Sequence, residues 1–208
     1  MKKQVLVIHG GETFPLYENY LEYLQNYEID FKEIKDKNNG WKKHLQEDLG
    51  DKFEVIQPQM PSPRNAKYLE WKIWLGKYLP FLSENIVLIG HSLGGIFWIK
   101  YLSENKFPVK ISQLHLVAAP FGDNNFSDKI QQYELADFNF SLKNLCKTEN
   151  QVENIFIYHS KDDDVVPFAD MEKYSEKLPK AKKNIFKNRG HFLTEKFPEI
   201  IERIKNYS

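Results

Sequence analysis

Six short apolar runs alternate with helical patterns along the chain, and this alternation restricts the fold more than any other feature. Short runs that are rich in Val and Ile and end at Gly, Pro or His are typical of strands buried on both faces. Between the runs, apolar residues recur at spacings that share one helix face. The alternation predicts an α/β fold with a mostly parallel central sheet flanked by helices. The runs are residues 5–8, 53–56, 86–89, 114–118, 155–158 and, more weakly, 184–186.

The length and composition of the chain fit one domain. Its 208 residues, 41% of them hydrophobic, suffice for one substantial core. We therefore expect residues 1–208 to form a single domain. Two stretches depart from the alternation. Residues 30–50 are charged, with a turn at 38–40 and a short amphipathic segment at 41–49, and residues 120–150 contain no clear strand.

Charge and cysteine usage restrict the partners and the location. Lys plus Arg and Asp plus Glu both number 29, and this balance argues against a dedicated nucleic-acid-binding protein. No apolar stretch approaches the roughly 20 residues needed to cross a bilayer. Cys146 is the only cysteine, so no intramolecular disulfide can form, as is typical of a reducing compartment. We expect a cytoplasmic protein with no nucleic-acid or membrane partner.

Polar clusters follow four of the predicted strands. In a parallel sheet, ligands bind beyond the carboxyl ends of the strands, where these clusters would meet. The clusters are HGG at 9–11, GHSLG at 90–94, HSKDDDVVP at 159–167 and NRGHF at 188–192. The sequence therefore predicts a functional site at this edge of the sheet.

Ser92 lies in the sequence GHSLGG, between a predicted strand and a predicted helix. This is the context of a nucleophile elbow, in which a serine at a strained backbone position needs small neighbours, here Gly90, Gly94 and Gly95. The positive end of the following helix would also point at the serine. The alternative is a simple strand-to-helix turn. We interpret Ser92 as a nucleophile.

A serine hydroxyl needs a base that accepts its proton, and the chain has six histidines. His191, in a glycine-containing turn after the last predicted strand, is the best candidate. His9 and His91 flank backbone features and are expected to line the pocket. The other three are interpreted as structural: His44 in the charged segment, His115 within a strand, and His159 as a support for the acidic turn.

The base in turn needs a carboxylate that holds its tautomer and stabilises the imidazolium. Asp162, Asp163 and Asp164 compete for this role, and the alternative is a solvated turn that caps the next helix. We choose Asp163 because it forms the pattern Asp-x-x-Val-Pro with Val166 and Pro167. The two neighbouring aspartates are then expected to matter little. An acidic triplet also suits a divalent cation, but no cluster of partner ligands accompanies it, so we expect no metal and no other cofactor.

The order serine, aspartate, histidine is that of α/β-hydrolases, and the sequence resembles this fold over nearly its whole length. Within the fold it resembles the small serine hydrolases related to retinoblastoma-binding protein. That narrower resemblance rests on compact size, on MPSPRNAKYLEWKIWL at 60–75, on HSKDDDVVPF at 159–168 and on the closing Gly-His-Phe. It implies a three-layer α/β-hydrolase sandwich and a catalytic triad carried over to Ser92, Asp163 and His191. The charged insert is longer than the usual connection in that group.

An acyl-transfer enzyme also needs hydrogen-bond donors for the developing oxyanion. One is expected to be the backbone N–H of Leu93, the residue after the nucleophile. The second is expected from the loop after the first strand, where glycines let the backbone approach the substrate. We favour the N–H of Gly11, with that of Glu12 as the alternative. A plain glycine turn is the remaining interpretation.

These residues together predict a metal-independent, carboxylesterase-like serine hydrolase that cleaves an ester through an acyl-enzyme intermediate. Its expected partner is a small-molecule acyl substrate, with thioesters, amides, peptides and lipids as alternatives. A second hypothesis is a protein-binding module on a hydrolase scaffold with little or no catalytic activity. Nucleotide binding is disfavoured because neither HGGETF nor GHSLGG fits G-x-G-x-x-G or the P-loop. Phe121, Phe126, Phe138 and Phe140 form either a small apolar cap over the site or ordinary core.

Overall fold

A computed structural model describes residues 2–29, 40–122 and 135–206 of the chain. The predicted turn residues 38 and 39, and Phe126, lie outside these ranges. The strands are β1 (Lys3–Ile8), β2 (Phe53–Ile56), β3 (Ile86–His91), β4 (Ile111–Val117), β5 (Val152–Ser160) and β6 (Lys182–Phe186). The α-helices are α1 (Tyr17–Asn26), α2 (Trp41–Leu49), α3 (Tyr68–Gly76), α4 (Leu93–Glu104), α5 (Cys146–Gln151), α6 (Phe168–Lys177) and α7 (Pro198–Asn206). Short 3₁₀ turns lie at Leu79–Phe81, Ala136–Phe138 and Leu142–Asn144.

The strands form one six-stranded sheet in the order β2-β1-β3-β4-β5-β6. The sequence predicted a mostly parallel sheet, and every pairing among the described strands is parallel. The register places Ile8 of β1 beside Gly90 of β3, and His91 of β3 beside Val117 of β4. Since all six strands run in one direction, their carboxyl ends lie at the same edge of the sheet.

Side chains alternate between the two faces of the sheet and build two separate apolar clusters. On β1, Leu6 and Ile8 join one cluster, whereas Val5 and Val7 join the other. The first cluster is completed by residues of α3, α4 and α6, and the second by residues of α2 and α7. The architecture is therefore a three-layer sandwich, as expected from the alternation of strands and helices.

The α1 helix differs from the other helices because it buries none of its residues. It forms over the predicted stretch, but Leu21 and Leu24 on its apolar face stay 40% and 42% exposed. Among the described residues, no helix is both long enough and apolar enough to span a membrane.

A buried polar chain explains why β4 is longer than its apolar run. The hydroxyl of Tyr158 lies 2.9 Å from His115 Nδ1, and His115 Nε2 lies 2.9 Å from Gln113 Oε1. Gln113 donates in turn to the backbone oxygen of Ile204 in α7. Because Gln113 Oε1 only accepts, the proton of His115 is on Nε2. The histidine is neutral and structural, as predicted: burial, with a smaller effect of the Arg203 charge, lowers the pKa of His115 to about 3.

This buried histidine should make the fold less stable in mild acid. An unfolded histidine titrates near about 6.5, so between about pH 6.5 and pH 3 only the unfolded state binds the proton. The free energy of unfolding should therefore fall by about 1–2 kcal/mol between pH 7 and pH 5 through His115 alone. We expect urea unfolding of His115→Gln to lose less stability over this range than wild type. His44→Gln, at a side chain 34% exposed, is the control and should keep the wild-type slope; an unchanged slope in His115→Gln would contradict the assignment.

Candidate active site

The predicted polar clusters meet at the carboxyl edge of the sheet. The pairing of Ile8 with Gly90 brings the loop after β1 beside the loop after β3. A methyl group added at Gly10 would lie 2.9 Å from the Cβ of Ser92, so these two loops are in contact. The loops after β5 and β6 are joined by the hydrogen bonds between Asp163 and His191 described below. Ser92, Asp163 and His191 therefore lie along a single edge.

Ser92 has the backbone conformation of a nucleophile elbow. Its φ of 53° and ψ of −125° lie in a region that costs a residue with a side chain about 1–3 kcal/mol. Its N–H donates to the backbone oxygen of Val117 at 2.8 Å, which ties the turn to the neighbouring strand. Glycine is required at 90 because a Cβ there would overlap the backbone of Gly94 and Gly95. The predicted need for small neighbours is therefore a packing requirement of this turn.

Leu93 and Gly11, the two residues expected to supply backbone donors, line the same cavity as Ser92. Leu93 is the first residue of α4, so its N–H is among those that have no acceptor within the helix. Gly11 lies across the cavity, and among the described residues its N–H donates no hydrogen bond. The N–H of Glu12, the alternative donor, is already bonded to the backbone oxygen of Pro63 at 2.8 Å. Of the two residues considered in this loop, only Gly11 has its N–H available.

Asp163 and His191 form the central polar contact of the site. His191 Nδ1 lies 3.0 Å from both carboxylate oxygens of Asp163. Oδ1 of Asp163 also accepts the N–H groups of Val165 and Val166, at 3.0 and 2.9 Å. Burial alone would raise the pKa of Asp163, but these hydrogen bonds outweigh it and the net pKa is lowered. The carboxylate is thus ionised, and it fixes the His191 tautomer with the proton on Nδ1.

The other ring nitrogen of His191 is free of partners within the described residues. The hydrogen bonds of His191 use Nδ1 and the backbone oxygen, and Ser92 Oγ makes none to Nε2. Hydrogen bonds between nucleophile and base are often long until substrate binds. Nε2 of His191 is therefore left available for a further hydrogen bond.

The loop that contains His191 is fixed at several points. Gly190 and Phe192 on either side of His191 have left-handed backbone angles, φ 49° and 54°. Phe192 keeps this conformation while fully buried against Phe186 and Phe197, with ring centroids 5.4 and 5.1 Å away. Burial of the neighbouring phenylalanine thus helps to hold His191 in place.

Asp162 has a role that the sequence did not predict. Its Oδ1 accepts the hydroxyl of Ser160 at 2.5 Å and the N–H of Gly190 at 3.0 Å. Ser160 Oγ in turn accepts the N–H of Arg189 at 2.9 Å. Asp164 is exposed. Across the described ranges, no group of three His, Cys, Asp or Glu side chains is placed to hold a metal ion.

The other histidines near the edge support loops instead of lining the cavity. His9 was expected to line the pocket, but its Nδ1 donates to the Gly10 oxygen at 2.6 Å and its Nε2 accepts the N–H of Met60 at 2.9 Å. His91 is buried behind the site, with Nε2 2.8 Å from the His191 backbone oxygen. Neither residue lines the cavity. His159 supports the acidic turn, as predicted, through Nε2 and the Val166 oxygen at 2.9 Å.

A cavity of about 110 Å³ lies directly over Ser92. It is lined by Ser92 and by Gly11, Glu12, Thr13, Leu93, Pro120, Leu135, Val165 and Val166. A larger open groove, about 1160 Å³, lies at the amino ends of β1 and β2, where Lys3 and Phe53 line it. That groove is at the opposite edge of the sheet from Ser92, so the small cavity is the candidate substrate site.

Three of the four phenylalanines considered as a cap are core residues. Phe121, Phe138 and Phe140 are at most 3% exposed and belong to the same apolar cluster as α3 and α4. Phe121 packs against Tyr174 of α6, with ring centroids 4.9 Å apart. The described part of the 120–150 stretch therefore contributes packing to the fold.

The comparisons with known proteins agree with this geometry. A family model described as serine hydrolase matches residues 34–204. The chain belongs to the serine hydrolase family. It is 27% identical over 177 residues to the serine hydrolase RBBP9 of Rattus norvegicus, covering 80% of this chain and 84% of that protein. It is also 24% identical over 200 residues to the putative hydrolase YdeN of Bacillus subtilis, covering 94% and 88%.

Solved structures show the fold of this family member. The crystal structure of the ydeN product of B. subtilis matches with a TM-score of 0.73 at 21% identity, covering 99% of this chain and 98% of that one. A naproxen esterase (carboxylesterase NP) from B. subtilis matches with a TM-score of 0.60 at 13% identity, covering 99% and 83%. The chain has the α/β-hydrolase fold, as the sequence resemblance implied.

The contacts of Asp162 generate a testable difference between two aspartates. The Asp162→Ala variant lacks the carboxylate that accepts the N–H of Gly190. The loop can then shift, and a small displacement of His191 would lower the rate of the reaction proposed below. We expect kcat for ester hydrolysis to fall about tenfold. Asp164→Ala, at the exposed neighbour, is the control and should retain wild-type kcat. Equal kcat values for the two variants would show that Asp162 does not hold the loop.

Proposed function

We propose that this serine hydrolase is a metal-independent, carboxylesterase-like enzyme that uses Ser92 as nucleophile, His191 as base and Asp163 as the acid that orients it. The observation that carries the proposal is the double contact of His191 Nδ1 with the buried Asp163 carboxylate, at the sheet edge where Ser92 is held in its strained turn. This arrangement leaves Nε2 of His191 with the lone pair that can accept the serine proton.

In the proposed reaction, Ser92 Oγ attacks the carbonyl carbon of an ester while its proton moves to His191 Nε2. The carbonyl oxygen becomes an oxyanion, which the N–H groups of Leu93 and Gly11 stabilise. The C–O bond to the alcohol then breaks as His191 returns the proton to the leaving oxygen. Water, deprotonated by His191, attacks the acyl-enzyme in the same way, releasing the acid and restoring Ser92.

Throughout this cycle Asp163 stays ionised and stabilises the imidazolium. Its charge costs several kcal/mol to bury unless hydrogen bonds compensate it, and here His191, Val165 and Val166 supply them. Metal independence is proposed because Asp162 and Asp163 already use their oxygens on protein donors. A metal is not needed to lower the pKa of an attacking water when a serine is activated by its own base.

The lining of the cavity supports a short, uncharged acyl group. Its walls are largely apolar, with Leu93, Leu135 and Val166 among them, and its volume is about 110 Å³. Glu12 is among the residues that line the same cavity, and its negative charge would disfavour an anionic acyl group. An esterase among the solved structures of the same fold is consistent with ester cleavage.

We also propose a cytoplasmic location and a small-molecule acyl substrate as the partner, without a role for nucleic acid or membrane. The location rests on Cys146, the only cysteine of the sequence, which is exposed and free. The substrate class rests on the small cavity over Ser92.

Removal of the nucleophile tests the reaction directly. Ser92→Ala should lower turnover of p-nitrophenyl acetate by at least about 10³-fold, because triad members act as a unit, and His191→Ala should do comparable damage. Circular dichroism should show that both variants stay folded. Because the proposed enzyme needs no metal, EDTA should not inhibit the wild type. Substantial activity in Ser92→Ala would remove the nucleophile assignment, and an inactive wild type would favour a binding module.

The size of the cavity predicts a preference among acyl chains. A single misfitting methylene in a closed apolar pocket costs about 1–3 kcal/mol, so kcat/KM should be at least tenfold lower for p-nitrophenyl octanoate than for the acetate. Leu135→Ala enlarges the cavity and should narrow this difference. Octanoate hydrolysis as fast as that of acetate in the wild type would show that the cavity does not limit the acyl group.

A further inference from the structure

The α2 helix, in the charged insert, contacts the loop of His191 through its first residue. Trp41 is buried, and its backbone N–H donates to the Thr194 oxygen at 2.9 Å. Its indole Nε1 donates to the Phe192 oxygen at 3.1 Å. A segment far away in the sequence thus fixes the backbone on the carboxyl side of His191.

The second residue of α2 reaches the same loop through another histidine. Lys42 Nζ lies 2.9 Å from His91 Nδ1, and His91 Nε2 lies 2.8 Å from the backbone oxygen of His191. The rings of His91 and His191 are also in contact, with centroids 5.0 Å apart. Lys42, His91 and His191 therefore form a continuous chain of contacts.

The contacts of His91 with Lys42 and with the His191 backbone oxygen require the same tautomer of His91. An ammonium group can only donate, so Lys42 needs a bare Nδ1 on His91. A carbonyl oxygen can only accept, so the His191 backbone needs a protonated Nε2. Each contact stabilises the protonation state that the other one uses.

The electrostatics keep His91 neutral. Burial, followed by the charges of Lys42 and of His191, lowers the pKa of His91 well below its ordinary value. Burial likewise lowers the pKa of Lys42 to about 8, and within the described residues no carboxylate forms an ion pair with it. A largely desolvated lysine without an acidic partner is costly, so a role in the site would explain its position.

We propose that Lys42 is a positioning residue for the base of the proposed reaction, acting through His91. Lys42 holds His91 in the tautomer with the proton on Nε2, and His91 then holds the backbone oxygen of His191. This inference rests on the proposed role of His191 as base. It also assigns a function to the insert. The α2 helix places Trp41 and Lys42 where they support the loop that contains His191.

Without the lysine, only the His191 backbone oxygen still favours the His91 tautomer with the proton on Nε2, and the other tautomer becomes accessible. The tautomer with the proton on Nδ1 would present the Nε2 lone pair to the His191 oxygen, two acceptors facing each other. The loop would then move away, and Nε2 of His191 would lose its alignment with Ser92. Such a displacement affects the chemical step more than the binding of a small ester.

The test compares Lys42→Met with Lys43→Met in steady-state hydrolysis of p-nitrophenyl acetate. Both substitutions remove one lysine charge from α2, but Lys43 is exposed and is the matched control. We expect kcat to fall about 10–100-fold in Lys42→Met with KM within about twofold of wild type, and Lys43→Met to match wild type. A kcat for Lys42→Met within twofold of the Lys43→Met value would overturn the proposal.

A second measurement uses the unmodified protein and does not depend on the folding of a variant. Two-bond ¹H–¹⁵N spectra of the histidine rings at about pH 7 should show His91 solely with its proton on Nε2. In folded Lys42→Met the spectrum should show a mixture of tautomers. A proton on Nδ1 in the wild type would refute the chain of contacts.

The two experiments separate this inference from the function on which it rests. If wild type and Lys43→Met hydrolyse the ester while Lys42→Met does so equally well, the positioning role fails and the proposed function stands. If the wild type itself does not hydrolyse the ester, the proposed function fails, and the tautomer of His91 still tests the contact.

Discussion

The site depends on one buried carboxylate. The side chain of Asp163 is fully buried, and the free-energy cost of burying its charge is offset by two backbone N–H groups and by His191. Because Oδ1 is held by the turn at Val165 and Val166, the carboxylate cannot rotate to follow the histidine. The histidine must instead orient its ring toward the carboxylate. The direction of the His191 ring is therefore set by the short turn after β5.

His191 could still move together with the loop that contains it, but this loop is fixed from two sides. Asp162 and Ser160 bind the backbone at Gly190 and Arg189, on the side of the acidic turn. His91 and Trp41 bind it from the side of α2. Positions of catalytic groups must be held within about 0.5 Å for efficient chemistry. A loop held by hydrogen bonds on both sides keeps the position of His191 more constant than a loop held only at the end of one strand.

Local signals explain why so much of the fold could be predicted. The six strands overlap the apolar runs, and the four inner strands, β1, β3, β4 and β5, are largely buried, as strands covered on both faces need continuous apolar sequence. The helix at 41–49 forms over the predicted segment because Trp41, Leu45 and Leu49 share one face. The polar start of β4 was missed, because Ser112 and Gln113 are satisfied by distant backbone groups that an apolar pattern cannot show. Ser92, with its flanking glycines, is recognisable for the same local reason: the turn requires small residues within five positions.

The supporting residues had no such signal. Trp41 and Phe192 are joined by a hydrogen bond across 151 positions of sequence, and Lys42 reaches the site only through His91. Asp163 was chosen over Asp162 because of the pattern Asp-x-x-Val-Pro, and that pattern does not show that Asp162 accepts the N–H of Gly190 in the loop of His191. His9 and His91 do lie near the site, but the prediction that they line the pocket was wrong. Both bind backbone groups instead of facing the cavity. These roles depend on hydrogen bonds between residues far apart in the sequence, which become visible only in the folded structure.

Peptide mapping after covalent labelling tests whether Ser92 is the nucleophile. A fluorophosphonate reacts with a serine that an adjacent base has activated, so the labelled protein can be digested and the modified residue located by mass spectrometry. We expect a single adduct on Ser92, and no adduct when His191 is replaced by alanine. An adduct on another residue, or no adduct in a preparation that hydrolyses esters, would contradict it.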